Sequence, residues 1–341
     1  MILVFSICSN NYLAQAITLG YTLKKFNPDY RFVICLVDRK NESVDYSKIP
    51  FEILEVEKID VPYFDEMILR YDIVELNTAF KPYYFQHFFR TTGADSVIYL
   101  DPDIEVFKRF SELEEELIEN DIIITPHFTT PLNDDKWQRE EDFLNSGLYN
   151  LGFIAVKNTE NGKKMLSWWA GKMRNKAYID FNHGLFTDQI WINFVPLFFS
   201  KVKVYTNIGY NVAYWNLHER TLSLKDGIYY VNDTQPLAFY HYASFRPLRP
   251  EMISTGQTRF TFEERTDIAP LFKNYCEMLF QNNYKSLVNC RCYFVEKKER
   301  IDKESLQKKI DSIPLYKKAI GRIIREIIKR LKIVMDYSTL K

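Results

Sequence analysis

The beginning of the chain constrains the fold most, because a strand, a helix and a second strand follow one another there. Residues 2–7 are a continuous apolar run, typical of a strand that is covered on both faces. Apolar residues at helical spacing follow until the pair Asn27-Pro28, where a helix would end. Residues 31–37 are rich in β-branched residues and predict another strand. Together they predict a βαβ unit, and therefore a parallel sheet and an α/β fold.

The rest of the chain continues this alternation as far as about residue 266, and is then charged and helical. Further strands are predicted at residues 51–56, 97–100 and 122–125, and within 147–157, 201–205, 227–231 and 237–245. Further helices are predicted at about 82–93, 162–174 and 185–199, the last broken at Pro196. We therefore predict a domain over residues 1–265 and a helical C-terminal region over residues 266–341.

The composition of the chain indicates which partners and which cellular compartment to expect. The chain has 45 Lys plus Arg against 45 Asp plus Glu, so no overall field favours nucleic acid. Its five cysteines are odd in number and scattered, which favours a reducing, cytoplasmic location. The opening "MILVFSICSNN" lacks the basic segment of a signal peptide. No apolar stretch reaches the roughly 20 residues that span a bilayer.

The stretch "YLDPDIEV" places two carboxylates directly after the strand at residues 97–100. Asp101 and Asp103 are two positions apart, so their side chains can point to the same side of an extended segment. Ligands of open α/β sheets bind beyond the carboxyl ends of the strands. Two like charges at such a place are costly unless a cation neutralises them, and Mg²⁺ or Mn²⁺ commonly bridges carboxylates and substrate phosphates. The alternative is an ordinary turn at the end of a strand.

Beyond these two residues, "SVIYLDPDIEVF" resembles the DxD motif of GT-A glycosyltransferases, which are nucleotide-sugar enzymes with a Rossmann-like core. The order of the downstream motifs is similar to that of the retaining family 8, to which glycogenin and bacterial galactosyltransferases are related. The resemblance covers roughly residues 1–260. "HYASFRPLRPEMISTGQTRF" also resembles a bacterial surface-polysaccharide variant. The resemblance implies a mixed, mainly parallel sheet flanked by helices, with a C-terminal helical extension.

Four segments carry the implied binding residues: "SNNYLAQAITLGYTLKK", "LNSGLYNLGFIAVK", "FTDQIWIN" and "FYHYASFRP". The resemblance implies that these residues bind the nucleotide-sugar: Ser9, Asn11, Tyr12, Lys81, Asp101, Asn150, Gly152 and Arg246. Ser9 stands where an aspartate is usual, Ser244 replaces a glycine, and Arg246 lies one place early for the motif's lysine.

The same segments imply the catalytic and metal-binding residues. Asp188 and Gln189 are expected to contact sugar hydroxyls or flank the anomeric carbon, and His241 is expected to join Asp101 and Asp103 in binding Mn²⁺ or Mg²⁺. Simpler interpretations are a helix N-cap for Asp188 and a solvated side chain for Lys81.

The implied function is metal-dependent, retaining transfer of a hexose from a UDP-sugar to a glycan or lipid-linked glycan in bacterial surface polysaccharide synthesis. One alternative is a nucleotidyltransferase that acts on sugar phosphates, but "SICSNNY" at residues 6–12 is not the Gly-rich, basic loop that a triphosphate needs. The other is a non-catalytic carbohydrate-binding protein, which leaves Asp101, Asp103 and His241 without a purpose.

The C-terminal stretch "IPLYKKAIGRIIREIIKRLKIVM" combines an apolar helical face with many basic residues. This pattern is typical of helices that lie on anionic membranes. It predicts a peripheral location at the inner face of the plasma membrane, and the alternative is a helix packed on the domain.

Overall fold

The computed structural model describes residues 1–312 of the chain. Among these residues, Met1–Phe294 form one compact unit, and those from Val295 onward belong to a second unit. The predicted basic amphipathic helix at residues 313–335 lies outside the described residues. Within residues 1–312, no helix has both the length and the apolar character needed to cross a membrane.

Strands and helices alternate along the first compact unit. The strands β1 to β14 are Ile2–Cys8, Arg31–Leu36, Glu52–Glu55, Ser96–Leu100, Ile104–Val106, Ile122–Pro126, Tyr149–Lys157, Ile179–Asp180, Leu185–Phe186, Val202–Val204, Leu222–Lys225, Ile228–Val231, Gln235–Pro236 and Phe239–His241. The α-helices α1 to α12 are Leu13–Phe26, Phe64–Arg70, Ile73–Ala79, Lys81–Thr91, Ser111–Glu119, Glu140–Ser146, Glu160–Met173, Gln189–Ile192, Val195–Phe198, Ala269–Gln281, Tyr284–Leu287 and Tyr293–Ser312.

Seven strands form one sheet in the order β10-β6-β7-β4-β1-β2-β3. Neighbouring strands are parallel except that β7 runs antiparallel to both β4 and β6. The carboxyl ends of β4 and β6 therefore lie beside the beginning of β7. The predicted α/β fold with a mixed, mainly parallel sheet is confirmed.

The two faces of the sheet are covered by different helices, because successive side chains of a strand point in opposite directions. Val4 of β1 belongs to the apolar cluster that includes Leu13 and Leu19 of α1. Its neighbour Phe5 packs instead against α4, where its ring centroid lies 4.9 Å from that of Phe85. The continuous apolar run of β1 is thus explained by burial on both faces.

The first compact unit extends past the predicted boundary at residue 265 to Phe294. The reason is visible in α10, whose aromatic residues pack on the segment that follows β14. The ring of Tyr275 stacks on that of Tyr242 at 3.8 Å, and Phe272 contacts the same ring at 4.9 Å.

One local prediction was wrong, and one strand was missed. The single helix expected at residues 185–199 is instead the strand β9 followed by two four-residue helices, α8 and α9. Pro196 lies in the first turn of α9, where its missing N–H is tolerated. The strand β5 was not predicted. It pairs antiparallel with β14 in a separate small sheet, with Ile104 opposite His241.

Candidate active site

Asp101 and Asp103 lie where the sequence places them, immediately after β4. The N–H of Asp101 donates to the carbonyl of Gly152 in β7 at 2.8 Å, which continues the pairing of the two strands. The N–H of Ile104 then donates to the carbonyl of Asp101 at 3.2 Å. The backbone therefore does form a turn, and this turn presents both carboxylates together.

His241 reaches the two aspartates through the small sheet of β5 and β14. The N–H of Tyr242, its neighbour, donates to the carbonyl of Asp103 at 2.8 Å. This pairing places His241 Nε2 3.2 Å from Asp103 Oδ1 and 3.6 Å from Asp101 Oδ2. One ligand atom from each of the three residues lies within 4.8 Å of the others. The predicted metal-binding residues are thus brought together.

The three side chains fit a divalent cation by their chemistry. His241 is buried, and burial alone would keep its imidazole neutral, but the carboxylates of Asp103 and Asp101 raise its pKa above the ordinary value. The site therefore concentrates negative charge around one imidazole nitrogen. Carboxylate oxygens with an imidazole are ligands that suit Mn²⁺, and carboxylates suit Mg²⁺.

Gly152 leaves the room that His241 occupies. A Cβ at residue 152 would lie 2.3 Å from Cε1 and 2.6 Å from Nδ1 of His241. Both distances are shorter than a van der Waals contact, so the imidazole would have to move. The backbone φ of Gly152 is not in the left-handed region, so close approach, rather than backbone conformation, explains the glycine. Residue 152 must therefore be a glycine for the His241 imidazole to occupy its place.

Lys81 is buried at the beginning of α4 and is not the solvated side chain that the simpler interpretation assumes. Its Nζ lies 3.0 Å from Asp188 Oδ2 and 3.9 Å from Asp101 Oδ1, and it donates to the carbonyl of Leu151 at 2.9 Å. Burial raises the pKa of Asp188, and the Lys81 ammonium opposes that effect. Asp188 sits at the N-cap position of α8, but its side chain makes no capping hydrogen bond. The ion pair joins two of the predicted residues to the aspartate pair.

The side-chain amide of Gln189 holds two backbone segments together. Its Oε1 accepts from the N–H of Leu151 at 3.0 Å, and its Nε2 donates to the carbonyl of Ser146 at 2.9 Å. These bonds fix the side chain between β7 and α6. The catalytic roles of Gln189 and Asp188 stay predictions.

One cavity of about 230 Å³, which we call the nucleotide-side cavity, opens on the two aspartates. The predicted residues Ser9, Asn11 and Tyr12 line it together with Asp101 and Asp103. Burial and the nearby Asp103 carboxylate raise the pKa of Tyr12 to about 12, so its phenol stays protonated at neutral pH. The segment after β1 and the segment after β4 therefore share one cavity.

A second cavity of about 480 Å³, which we call the aromatic cavity, lies on the β7 side. Asn150 and Gln189 line it. Its aromatic lining is formed by Trp137, Phe143, Phe181, Phe186, Tyr214 and Trp215. The Oδ1 of Asn150 accepts from the N–H of Gly152 and from Nδ2 of Asn211, both at 3.1 Å. The amide is thereby held at the edge of the cavity.

Like Lys81, Gly152, Asp188 and His241, Arg246 lines neither cavity. Its side chain is exposed, and it makes no ion pair with any residue between 1 and 312. Its positive charge opposes the rise in the pKa of Tyr12, a residue that lines the nucleotide-side cavity. A phosphate contact from Arg246 stays a prediction.

Three residues of the site were not predicted. Tyr99 donates its hydroxyl to Asp101 Oδ1, and this could have been anticipated because Tyr99 is near the end of β4 and only two residues before Asp101. His127 follows Pro126 at the carboxyl end of β6, next to β7, and so carries the same positional signal as Asp101. Trp215 packs on His241 at 5.1 Å, but it comes from a loop whose sequence shows no such signal.

No family model matches the sequence. Two proteins of Bacillus subtilis (strain 168), both described as uncharacterized, are similar to it. YfnF is 26% identical over 296 residues, which cover 80% of this chain and 90% of YfnF. YfnD is 22% identical over 246 residues, which cover 70% of this chain and 76% of YfnD.

Solved structures of glycosyltransferases are also similar to the chain over most of its length. The galactosyltransferase LgtC, solved with donor and acceptor sugar analogs, has a TM-score of 0.49 and 18% identity, with 87% of this chain and 100% of LgtC covered. The glycosyltransferase GlyE of Streptococcus pneumoniae TIGR4 has a TM-score of 0.47 and 15% identity, with 85% of this chain and 65% of that one covered.

Proposed function

We propose that the protein is a metal-dependent, retaining glycosyltransferase that moves a hexose from a UDP-sugar to a glycan acceptor in bacterial surface polysaccharide synthesis. The observation that carries the proposal is the group Asp101, Asp103 and His241, whose ligand atoms converge within 4.8 Å. Its aspartates line the nucleotide-side cavity, and its histidine packs on Trp215 of the aromatic cavity. A donor and an acceptor could therefore meet at this group.

The chemistry of sugar transfer explains why a cation is useful here. The nucleoside diphosphate leaves with developing negative charge, which a bound Mn²⁺ or Mg²⁺ would stabilise. Asp101, Asp103 and His241 would hold that cation. Ser9, Asn11 and Tyr12 would contact the nucleotide, and Arg246 would add a contact to a phosphate oxygen.

The reacting sugar is expected beside β7 and α8. Lys81 holds the Asp188 carboxylate next to Asp101, so a sugar that bridges the two cavities would pass Asp188 and Asn150. The aromatic cavity suits an acceptor glycan, because flat apolar rings with a few polar groups form typical ligand sites. Hexose and UDP specificity, retention and the polysaccharide pathway are proposed from the motif resemblance.

The test is cleavage of nucleotide-sugars in the absence of acceptor, measured over a panel of donors with and without Mn²⁺. We expect UDP-hexose cleavage that requires the cation and falls by about 10²- to 10³-fold in Asp103→Ala. Asp226→Asn, which changes an exposed aspartate in the turn between β11 and β12, is the matched control. Undiminished turnover in Asp103→Ala would refute the metal site. Turnover of a nucleoside triphosphate with a sugar phosphate would instead support a nucleotidyltransferase.

A further inference from the structure

A surface of partly and largely exposed apolar side chains is formed by the segment that follows Gln189 and by Trp168 of α7. We call it the aromatic patch. It consists of Trp168, Trp191, Phe194, Leu197 and Phe198. Leu197 is 77% exposed and Phe198 is 56% exposed, which is unusual for side chains of this size. Such a concentration of apolar side chains on a surface marks an interaction site.

The members of the patch contact one another and two lysines. Trp168 packs edge-on against Phe198 at 5.7 Å, and Phe198 stacks on Phe194 at 5.2 Å. The ammonium of Lys172 lies 5.8 Å from the Trp168 ring and 4.9 Å from the Trp191 ring. Lys176 lies 5.6 Å from the Trp191 ring.

The two lysines indicate which kind of partner the patch fits. Neither Lys172 nor Lys176 forms an ion pair with a residue in the described part of the chain. Tryptophan rings beside lysines and exposed Leu and Phe are the combination found where proteins meet the interface of an anionic bilayer. A second copy of this chain is a poorer partner, because a two-fold dimer through the patch would bring the lysines of both copies into one apolar interface.

We propose that the aromatic patch docks the protein on an anionic membrane surface, and that the acceptor is therefore lipid-linked. The second part rests on the proposed glycosyl transfer. The short helix α8 contains both Gln189, which lines the aromatic cavity, and Trp191, which belongs to the patch. The residue after α8, Asn193, accepts a hydrogen bond at Oδ1 from the N–H of Leu148, just before β7. Docking through the patch would bring the aromatic cavity close to the lipid headgroups.

The test is flotation of the full chain with vesicles of phosphatidylcholine mixed with phosphatidylglycerol, compared with vesicles of phosphatidylcholine alone. We expect the wild-type chain to float with the anionic vesicles. Leu197→Ser/Phe198→Ser should reduce the bound fraction several-fold. Lys172→Gln/Lys176→Gln should weaken binding to the anionic vesicles by about fivefold for each lysine. Leu224→Ser/Ile228→Ser, which changes two exposed apolar residues on β11 and β12, is the matched control and should float like the wild type.

Equal flotation of the wild type and both patch variants would overturn the proposal, and so would a wild-type chain that binds neither vesicle. Loss of self-association or of a protein partner in the variants, with unchanged flotation, would also overturn it. Metal-dependent cleavage of the donor in solution should be unchanged in both patch variants. Failure of membrane docking and failure of the proposed reaction are therefore measured separately.

Discussion

His127 and His241 are two buried histidines that pack on the same residue, Trp215, at ring distances of 5.3 and 5.1 Å. Burial lowers the pKa of His127 to about 3, and its Nδ1 donates to the carbonyl of Leu148. His241 is buried as well, yet Asp103 and Asp101 raise its pKa. The two histidines differ in their neighbours and not in their burial. The carboxylates beside His241 therefore explain why positive charge is stabilised at that imidazole and not at His127.

The largest effect is expected from disturbing the packing of His241. Gly152→Ala would place a Cβ against the imidazole and displace it from the aspartates. We expect the Mn²⁺ concentration needed for half-maximal donor cleavage to rise by about 10- to 100-fold, as when groups that orient a metal ligand are removed. Gly171→Ala, where a Cβ meets open space on α7, is the control and should leave the metal requirement unchanged. If both variants need the same Mn²⁺ concentration, Gly152 does not position the metal ligand His241.

An effect of the next size is expected from acid, through His127. Its pKa is about 3 in the folded chain and about 6.5 without burial, so only the unfolded chain gains the proton between these values. This contribution to stability is present above pH 6.5 and is lost as the pH falls, by about 1.4 kcal/mol per pH unit, or about 2 kcal/mol at pH 5.

Urea unfolding at pH 7 and pH 5 measures this loss. We expect His127→Gln to lose less free energy of unfolding between the two pH values than the wild type loses. His183→Gln, which changes an exposed histidine, is the control and should follow the wild type. A His127→Gln protein with the same acid sensitivity as the wild type would show that His127 is not held neutral.

The smallest effect is expected at Phe181 in the lining of the aromatic cavity. Phe181 stacks on Phe186 at 5.4 Å and is half exposed, so its removal should disturb the fold little. Phe181→Ala should raise the KM for a glycan acceptor by about three- to tenfold, since aromatic contacts contribute about 0.5–1.5 kcal/mol. Donor cleavage without acceptor should not change. A reduced rate of donor cleavage would show that Phe181 contacts the donor and not the acceptor.

The sequence predicted those parts of the fold and site that neighbouring residues encode. The βαβ opening follows from local periodicity. The convergence of Asp101 and Asp103 was also predicted, although a turn rather than an extended segment brings the two carboxylates together. The parts contributed by distant segments were harder to predict. The strand β5 has three residues and a partner far along the chain, so its register leaves no local pattern. The lining of the aromatic cavity comes from short elements and turns far apart in the chain, such as Phe143 of α6, Phe186 of β9 and Trp215, and spacing does not indicate which of these side chains meet.

Calorimetry of Mn²⁺ binding tests directly whether Asp101, Asp103 and His241 form a metal site. The wild-type chain is predicted to bind one Mn²⁺, more tightly when UDP is present. Asp101→Asn/Asp103→Asn, which keeps the size of both side chains and removes their charge, is predicted to bind none under the same conditions. Equal Mn²⁺ binding by the two proteins would contradict the account.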